Sequence, residues 1–232
     1  MTLTVGSLFS GIGGLDLGLE RAGHKVIWQS EIEPYACKVL ARHWPTVPNL
    51  GDITTVDWTQ VERPDILCGG YPCQPFSVAG RRQGSDDPRH LWPAMRDSVR
   101  ILRPRYVIGE NVRGHLSLGF YEVLQDLSSL GYDAEWDIVS AASVGAPHIR
   151  QRLFWVAYPN DQGPQGRDRG AEGRATPFSE SDSCDPLGYW SASSEPRILG
   201  VAYGFPGAMG ALRSYGNAVV PQVAELIGRL IL

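Results

Sequence analysis

Cys73 stands in Gly69-Gly70-Tyr71-Pro72-Cys73-Gln74-Pro75-Phe76-Ser77, directly after the apolar run Ile66-Leu67-Cys68. A thiol there sits where a strand ends and a loop opens. The prolines on either side fix φ and withhold N–H donors, so the loop is stiff and the sulfur cannot retreat into regular structure. That is the setting of a nucleophile. Most cysteines are instead small buried hydrophobes, and Cys37, Cys68 and Cys184 fit that description. Arg is the cationic side chain suited to bidentate contact with phosphate and guanine. Arg81, Arg82 and Arg89 follow Cys73 closely, and Arg150 and Arg152 flank Gln151.

A second constellation opens the chain, in Phe9-Ser10-Gly11-Ile12-Gly13-Gly14-Leu15-Asp16. Glycines between a strand and a helix let the backbone approach a ligand, and the helix N-terminus favours an anion or carboxylate. A pyrophosphate-binding fingerprint wants Gly-x-Gly-x-x-Gly, but Asp16 occupies the last position and discourages a pyrophosphate. Glu31, at the end of the next apolar run, is placed to accept bonds from ribose hydroxyls. Together they point to a nucleoside cofactor without a phosphate chain.

The elements that must position these residues alternate. Strands are predicted over 3–9, 26–29, 66–68 and 106–108, and helices over 13–22, 34–43, 91–102 and 121–130, the last closed by Gly131. Such alternation implies right-handed crossovers and a Rossmann-like, doubly wound α/β fold with a mostly parallel sheet, whose site lies at the carboxyl ends of the strands. Ser10-Gly11, Glu31, Tyr71-Pro72-Cys73 and Glu110-Asn111 all follow predicted strands. Segments 133–140 and 152–157 read as a terminal antiparallel hairpin around a Gly-Ala-Pro-His turn. The stretch 159–196 is rich in Gly, Pro, Ser, Asp and Arg and reads as an irregular appendage. Order returns near Gly200, and 219–232 has the spacing of a final helix with Pro221 in its first turn.

A chain of 232 residues can bury a sizeable core and makes one domain the expectation. Four cysteines without paired metal spacing argue against zinc and a disulfide scaffold. No apolar run is long enough to cross a bilayer, and Met1-Thr2-Leu3-Thr4 lacks the basic start of a secretory signal, which predicts a cytoplasmic protein. A net charge of −4 argues against holding nucleic acid by bulk electrostatics. Lys occurs only at 25 and 38, so any contact with nucleic acid would fall to a localised Arg face.

Phe9-Ser10-Gly11-x-Gly13-Gly14, Glu31, Gly51-Asp52-Ile53, Pro72-Cys73-Gln74-Pro75-Phe76-Ser77, Glu110-Asn111-Val112, Arg150-Gln151-Arg152 and Gly216-Asn217-Ala218-Val219-x-Pro221 resemble, in order and spacing, the motifs of the DNA cytosine-5 methyltransferases. The resemblance implies methyl transfer from S-adenosylmethionine to carbon-5 of cytosine in double-stranded DNA, with S-adenosylhomocysteine as product, base flipping and no metal. It makes Cys73 the nucleophile at carbon-6, puts Glu110 on N3 and the exocyclic amine and Arg152 on the carbonyl oxygen, and has Arg150 assist. It assigns the cofactor to Phe9, Ser10, Gly11, Gly13, Gly14, Glu31, Ile32, Asp52, Ile53, Pro72, Asn217 and Val219. Gln74, Ser77, Arg81, Arg82 and Asn111 fall to the substrate, with a mobile catalytic loop over 77–89. The catalytic domain spans 1–157 and 214–232, and 158–213 is a target-recognition region shorter than members usually carry. Arg167, Arg169 and Arg174 lie within it, as do Tyr189 and Trp190. The expected setting is a monomer in a bacterial cell or phage-infected host, beside a companion restriction endonuclease. An RNA cytosine-5 methyltransferase, a non-catalytic nucleic-acid-binding relative and a nicotinamide-dependent dehydrogenase with a catalytic thiol are the alternatives. Cofactor retention separates the last from the rest.

Overall fold

The computed structural model describes residues 1–72, 91–160 and 218–231. Six strands form one sheet: β1 (Thr4–Leu8), β2 (Lys25–Ser30), β3 (Ile66–Gly69), β4 (Tyr106–Val112), β5 (Tyr132–Ser140) and β6 (Gln151–Pro159). Their order is β2-β1-β3-β4-β6-β5. The first four are mutually parallel, while β6 runs antiparallel to both β4 and β5. This is the doubly wound sheet with a terminal hairpin that the alternation of elements indicated. The chain steps outward from β1 to β2 and then crosses back to β3, so the switch point lies between the carboxyl ends of β1 and β3.

Among the described residues five helices cover the two faces: α1 (Gly14–Arg21), α2 (Pro34–His43), α3 (Trp92–Leu102), α4 (Phe120–Ser129) and α5 (Pro221–Leu230). Alternation along the strands sorts the core. Val5, Ile66, Cys68 and Ile108 point to one face, beneath Leu15 and Leu19 of α1 and Val223, Ala224 and Ile227 of α5. Leu8, Leu67 and Val107 point to the other, beneath Trp92, Met95 and Val99 of α3 and Phe120, Val123 and Leu127 of α4. α1 and α5 approach closely because a Cβ on Gly18 would strike the Pro221 carbonyl oxygen, and one on Gly228 would lie 2.7 Å from Ala22 Cβ. Among the described residues no helix is long and apolar enough to cross a membrane.

Three local readings change. Glu110 and Asn111 lie inside β4 and not in a loop after it, because β6 continues the ladder and pairs Glu110 with Phe154 and Asn111 with Leu153. The final helix starts at Pro221, leaving 218–220 outside it with Val220 extended, since proline serves the first helical turn and its predecessor avoids the helical region. Arg113–Ser117 and Ala141–Val144 form 3₁₀ turns that the periodicity did not announce. The predicted insert 159–196 and the catalytic loop over 77–89 lie outside the described residues, apart from Pro159 and Asn160 at the end of the hairpin.

Candidate active site

One cleft of about 520 Å³ opens at the switch point and falls in the size range of small-molecule sites. Phe9, Ser10, Gly11 and Gly14 line it from the glycine loop, Glu31 and Ile32 from the end of β2, Asp52 and Ile53 from the segment before β3, and Pro72 from the chain leaving β3. Glu110 and Asn111, Arg150 and Arg152, and Val219 line it as well. Cys73, Gln74, Ser77, Arg81, Arg82 and Asn217 lie outside the described residues.

The loop after β1 is strained. Phe9 has φ 51° and Gly11 φ 55°, and a bulky residue in that region costs about 1–3 kcal/mol. Glu31 holds the turn. Its Oε2 accepts from the Gly11 N–H at 2.7 Å, and Oε1 accepts from the Ile32 and Glu33 N–H groups at 2.9 and 2.8 Å. A carboxylate offers more acceptor sites than these bonds occupy, so Glu31 can still take a hydroxyl from a ligand. Asp52 builds an Asx turn, accepting from the Thr54 N–H and hydroxyl, and those bonds hold its carboxyl below the usual range. Ile32 is 64% exposed beside the cleft, an apolar surface for a flat ring to cover. Glu31, Glu33 and Asp52 make this end acidic, while Arg150 and Arg152 stand with Glu110 at the other. That distribution fits a cationic nucleoside cofactor and opposes a pyrophosphate.

Two glycines of the loop serve packing. Gly13 does not line the cleft; it caps α1 at φ 85° and lies under the Trp44 ring. A Cβ on Gly14 would lie 2.5 Å from the Val219 carbonyl oxygen, so this glycine lets the 218–220 segment reach the cleft. Asp16 also departs from its expected part. It is fully buried, faces Ser7 and Gln29, and does not line the cleft, so its charge cannot act on a ligand there directly. Burial pushes its carboxyl up to about 6. Cys68 is fully buried against Ser7 and Asp16, and burial raises its thiol, leaving it inert. Cys37 is half-buried, and Cys184 lies outside the described residues.

At the far end, Glu110 is 8% exposed, and burial pushes its carboxyl up to about 7 against the opposing pull of Arg152 and Arg150. Arg152 Nε lies 3.2 Å from Glu110 Oε1. Burial, with Arg152 beside it, pulls the Arg150 guanidinium down. A Cβ on Gly70 would lie 3.0 Å from Glu110 Oε2, so a residue without a side chain lets the carboxyl sit over the start of the loop that carries Cys73. Asn111 Nδ2 donates to the Tyr71 carbonyl at 3.2 Å, tying the same segment to β4. Sequence reasoning passed over His115, which shares a 2.8 Å hydrogen bond with the Tyr71 hydroxyl from the 3₁₀ turn after β4. It also passed over Glu33 and Leu91 in the cleft wall, where Ala218 of the quoted last motif stands as well. Glu33, two residues after Glu31, was the one with a readable signal.

Fold and cleft together define a Rossmann-like α/β domain with its ligand site at the switch point. Residues 3–185 match the family described as C-5 cytosine-specific DNA methylase. Over 157 residues the chain is 39% identical to the Type II methyltransferase M.HgiCII of Herpetosiphon aurantiacus, covering 64% of this chain and 36% of that one. It is 36% identical over 169 residues to the Type II methyltransferase M.NgoMIV of Neisseria gonorrhoeae, covering 69% and 53%. The crystal structure of the S. pombe Dnmt2 methyltransferase superposes with a TM-score of 0.61 at 25% identity, covering 70% of this chain and 52% of that one. The chain belongs to the C-5 cytosine-specific DNA methylase family, and it spans between a third and about half of the length of these curated relatives.

Proposed function

We propose that this protein transfers the methyl group of S-adenosylmethionine to carbon-5 of cytosine in duplex DNA, through a covalent adduct between Cys73 and carbon-6 of a flipped base. The observation that carries the reading is the Glu110 carboxyl, able to hold a proton near neutral pH, set over Gly70 in a cleft whose other end is acidic and glycine-lined. When bound, the cofactor supplies an electrophilic methyl group on a sulfonium; Phe9, Gly11, Glu31, Ile32, Asp52 and Val219 would hold it. Carbon-5 is a poor nucleophile until something adds to carbon-6. The Cys73 thiolate forms the C6–S bond and pushes the ring's electron pair toward carbon-5, while Glu110 protonates or hydrogen-bonds N3 and Arg152 holds the carbonyl oxygen. After carbon-5 takes the methyl, a base removes its hydrogen, the C5–C6 double bond reforms and the C6–S bond breaks. Flipping the cytosine out of the stack costs a few kcal/mol, which contacts to DNA from Gln74, Ser77, Arg81 and Arg82 would offset.

In this reading residues 1–157 and 214–232 form the catalytic domain and 158–213 a reduced recognition region. The Type II names of the relatives support a restriction-modification setting in a bacterial or phage-infected cytoplasm, with a companion endonuclease. Duplex DNA carrying 5-fluorocytosine tests the mechanism, since fluorine blocks the final hydrogen removal. A stable adduct lost in Cys73→Ser is expected; no adduct with any DNA or RNA sinks the reading.

A further inference from the structure

A chain of hydrogen bonds runs from the cleft wall to the first turn of α1. The Ser10 hydroxyl donates to Ser7 Oγ at 2.9 Å and also lies 3.2 Å from the Ser7 carbonyl oxygen. Ser7 Oγ donates to Asp16 Oδ2 at 2.9 Å, and Gln29 Nε2 donates to Asp16 Oδ1 at 2.7 Å. All four side chains are buried, yet Ser10 lines the cleft. Gln29 in turn carries the opposite wall: its N–H donates to the Pro48 carbonyl, and its own carbonyl accepts from the Leu50 N–H at 2.7 Å, just before Gly51 and Asp52. Asp16 therefore sits where the two walls meet.

We propose that Asp16 is a positioning residue for the cofactor, acting through Ser7, Ser10 and Gln29 without touching the ligand; this rests on the reading that the cleft takes S-adenosylmethionine. The acid is chemically specific. Two donors, the Ser7 hydroxyl and the Gln29 amide, converge on residue 16, and only a carboxylate accepts on both of its atoms; asparagine has one oxygen and one NH₂. Because Asp16 accepts from Ser7, the Ser7 oxygen is free to accept from Ser10, and Ser10 Oγ is left with acceptor capacity alone. An acceptor-only oxygen in the wall suits a ligand bearing ammonium and sulfonium charge. An amide nitrogen aimed at Ser7 would reverse the chain: the Ser7 hydroxyl would then donate to Ser10 Oγ and occupy the acceptor capacity that faced the cleft, while the Ser10 O–H falls to the Ser7 carbonyl oxygen at 3.2 Å. Burying a carboxyl is costly, and packing of α1 alone would be served by an apolar residue at that inward position.

The test is calorimetric titration of the purified full chain with S-adenosylmethionine, alongside thermal melting. Asp16→Asn should weaken binding about tenfold, the size expected when one buried donor is set against another. The exchanged pair Asp16→Asn with Gln29→Glu should restore it to within about threefold, because the amide now on α1 donates to the carboxylate now on β2 while its oxygen again accepts from Ser7. Should Asp16→Asn fail to fold, Ser7→Ala cuts the same chain without altering a buried charge and should also weaken binding. Affinity within about twofold of the parent in Asp16→Asn or Ser7→Ala, a twofold change being under 0.5 kcal/mol, overturns the proposal. So does an exchanged pair that melts like the parent but binds as weakly as Asp16→Asn. A parent protein that binds no S-adenosylmethionine at all overturns the cofactor reading, and this inference with it.

Discussion

Arg152 and Glu110 meet as diagonal cross-strand neighbours: Glu110 of β4 is registered with Phe154 of β6, and Arg152, two residues away on the same face, brings Nε to 3.2 Å from Glu110 Oε1. The antiparallel hairpin thus delivers a cation to the end of a parallel strand. Even so, the pair does not hold Glu110 in its usual range, since burial outweighs both arginines and leaves the carboxyl at about 7.

Glu110 should impose a pH dependence. A carboxyl raised from 4.5 to about 7 is proton-loaded below that value and loses the proton above it, so methyl transfer that needs the proton should fall as pH rises through 7. Glu110→Gln should slow transfer by about 100-fold or more, the range for a general acid, with cofactor affinity unchanged. The native state also binds more protons than the unfolded chain between the two values, so its stability should fall as pH rises across that window. Melting curves from pH 4.5 to 8 should show that slope, and Glu110→Gln should reduce it, leaving the part that the buried Asp16, raised to about 6, contributes.

Glu31 ties three backbone N–H groups at the corner of the glycine loop. Glu31→Ala should weaken S-adenosylmethionine binding at least tenfold, or about 1.4 kcal/mol, by titration. It should lower stability less than a core truncation does, because the freed amides face an open cleft and reach water.

Asn111→Asp should uncouple transfer from cofactor binding. The substitution sets a carboxylate against the Tyr71 carbonyl where Asn111 now donates. The segment leading to Cys73 loses its tie to β4. Single-turnover transfer should drop about tenfold, in line with a buried hydrogen bond exchanged for a repulsion, while titration with cofactor alone stays unchanged.

Gly18→Val should destabilise the fold by about 1–3 kcal/mol through overpacking, because its Cβ would strike the Pro221 carbonyl oxygen and push α5 from α1. Gly114→Ala is the control. Nothing lies within 4 Å of a Cβ there and its φ is ordinary, so chemical denaturation should leave it near the parent.

Much was legible before any coordinates. Alternating apolar runs and helical periods dictate a parallel sheet with helices on both faces, because a strand and its crossover helix can bury their apolar sides only against each other. The rule that sites gather at strand ends then pointed to the glycine loop, Glu31 and the segment after β3. Short-range chemistry of this kind is written in neighbouring residues. Partnerships across the sheet are not. That Asp16 turns away from the cleft to collect Ser7 and Gln29, that Gly14 and Gly18 exist for a segment two hundred residues later, and that Arg152 reaches Glu110 diagonally all depend on strand register and helix packing. Those are settled only when distant parts of the chain compete for the same buried volume, and no local pattern records which of them wins.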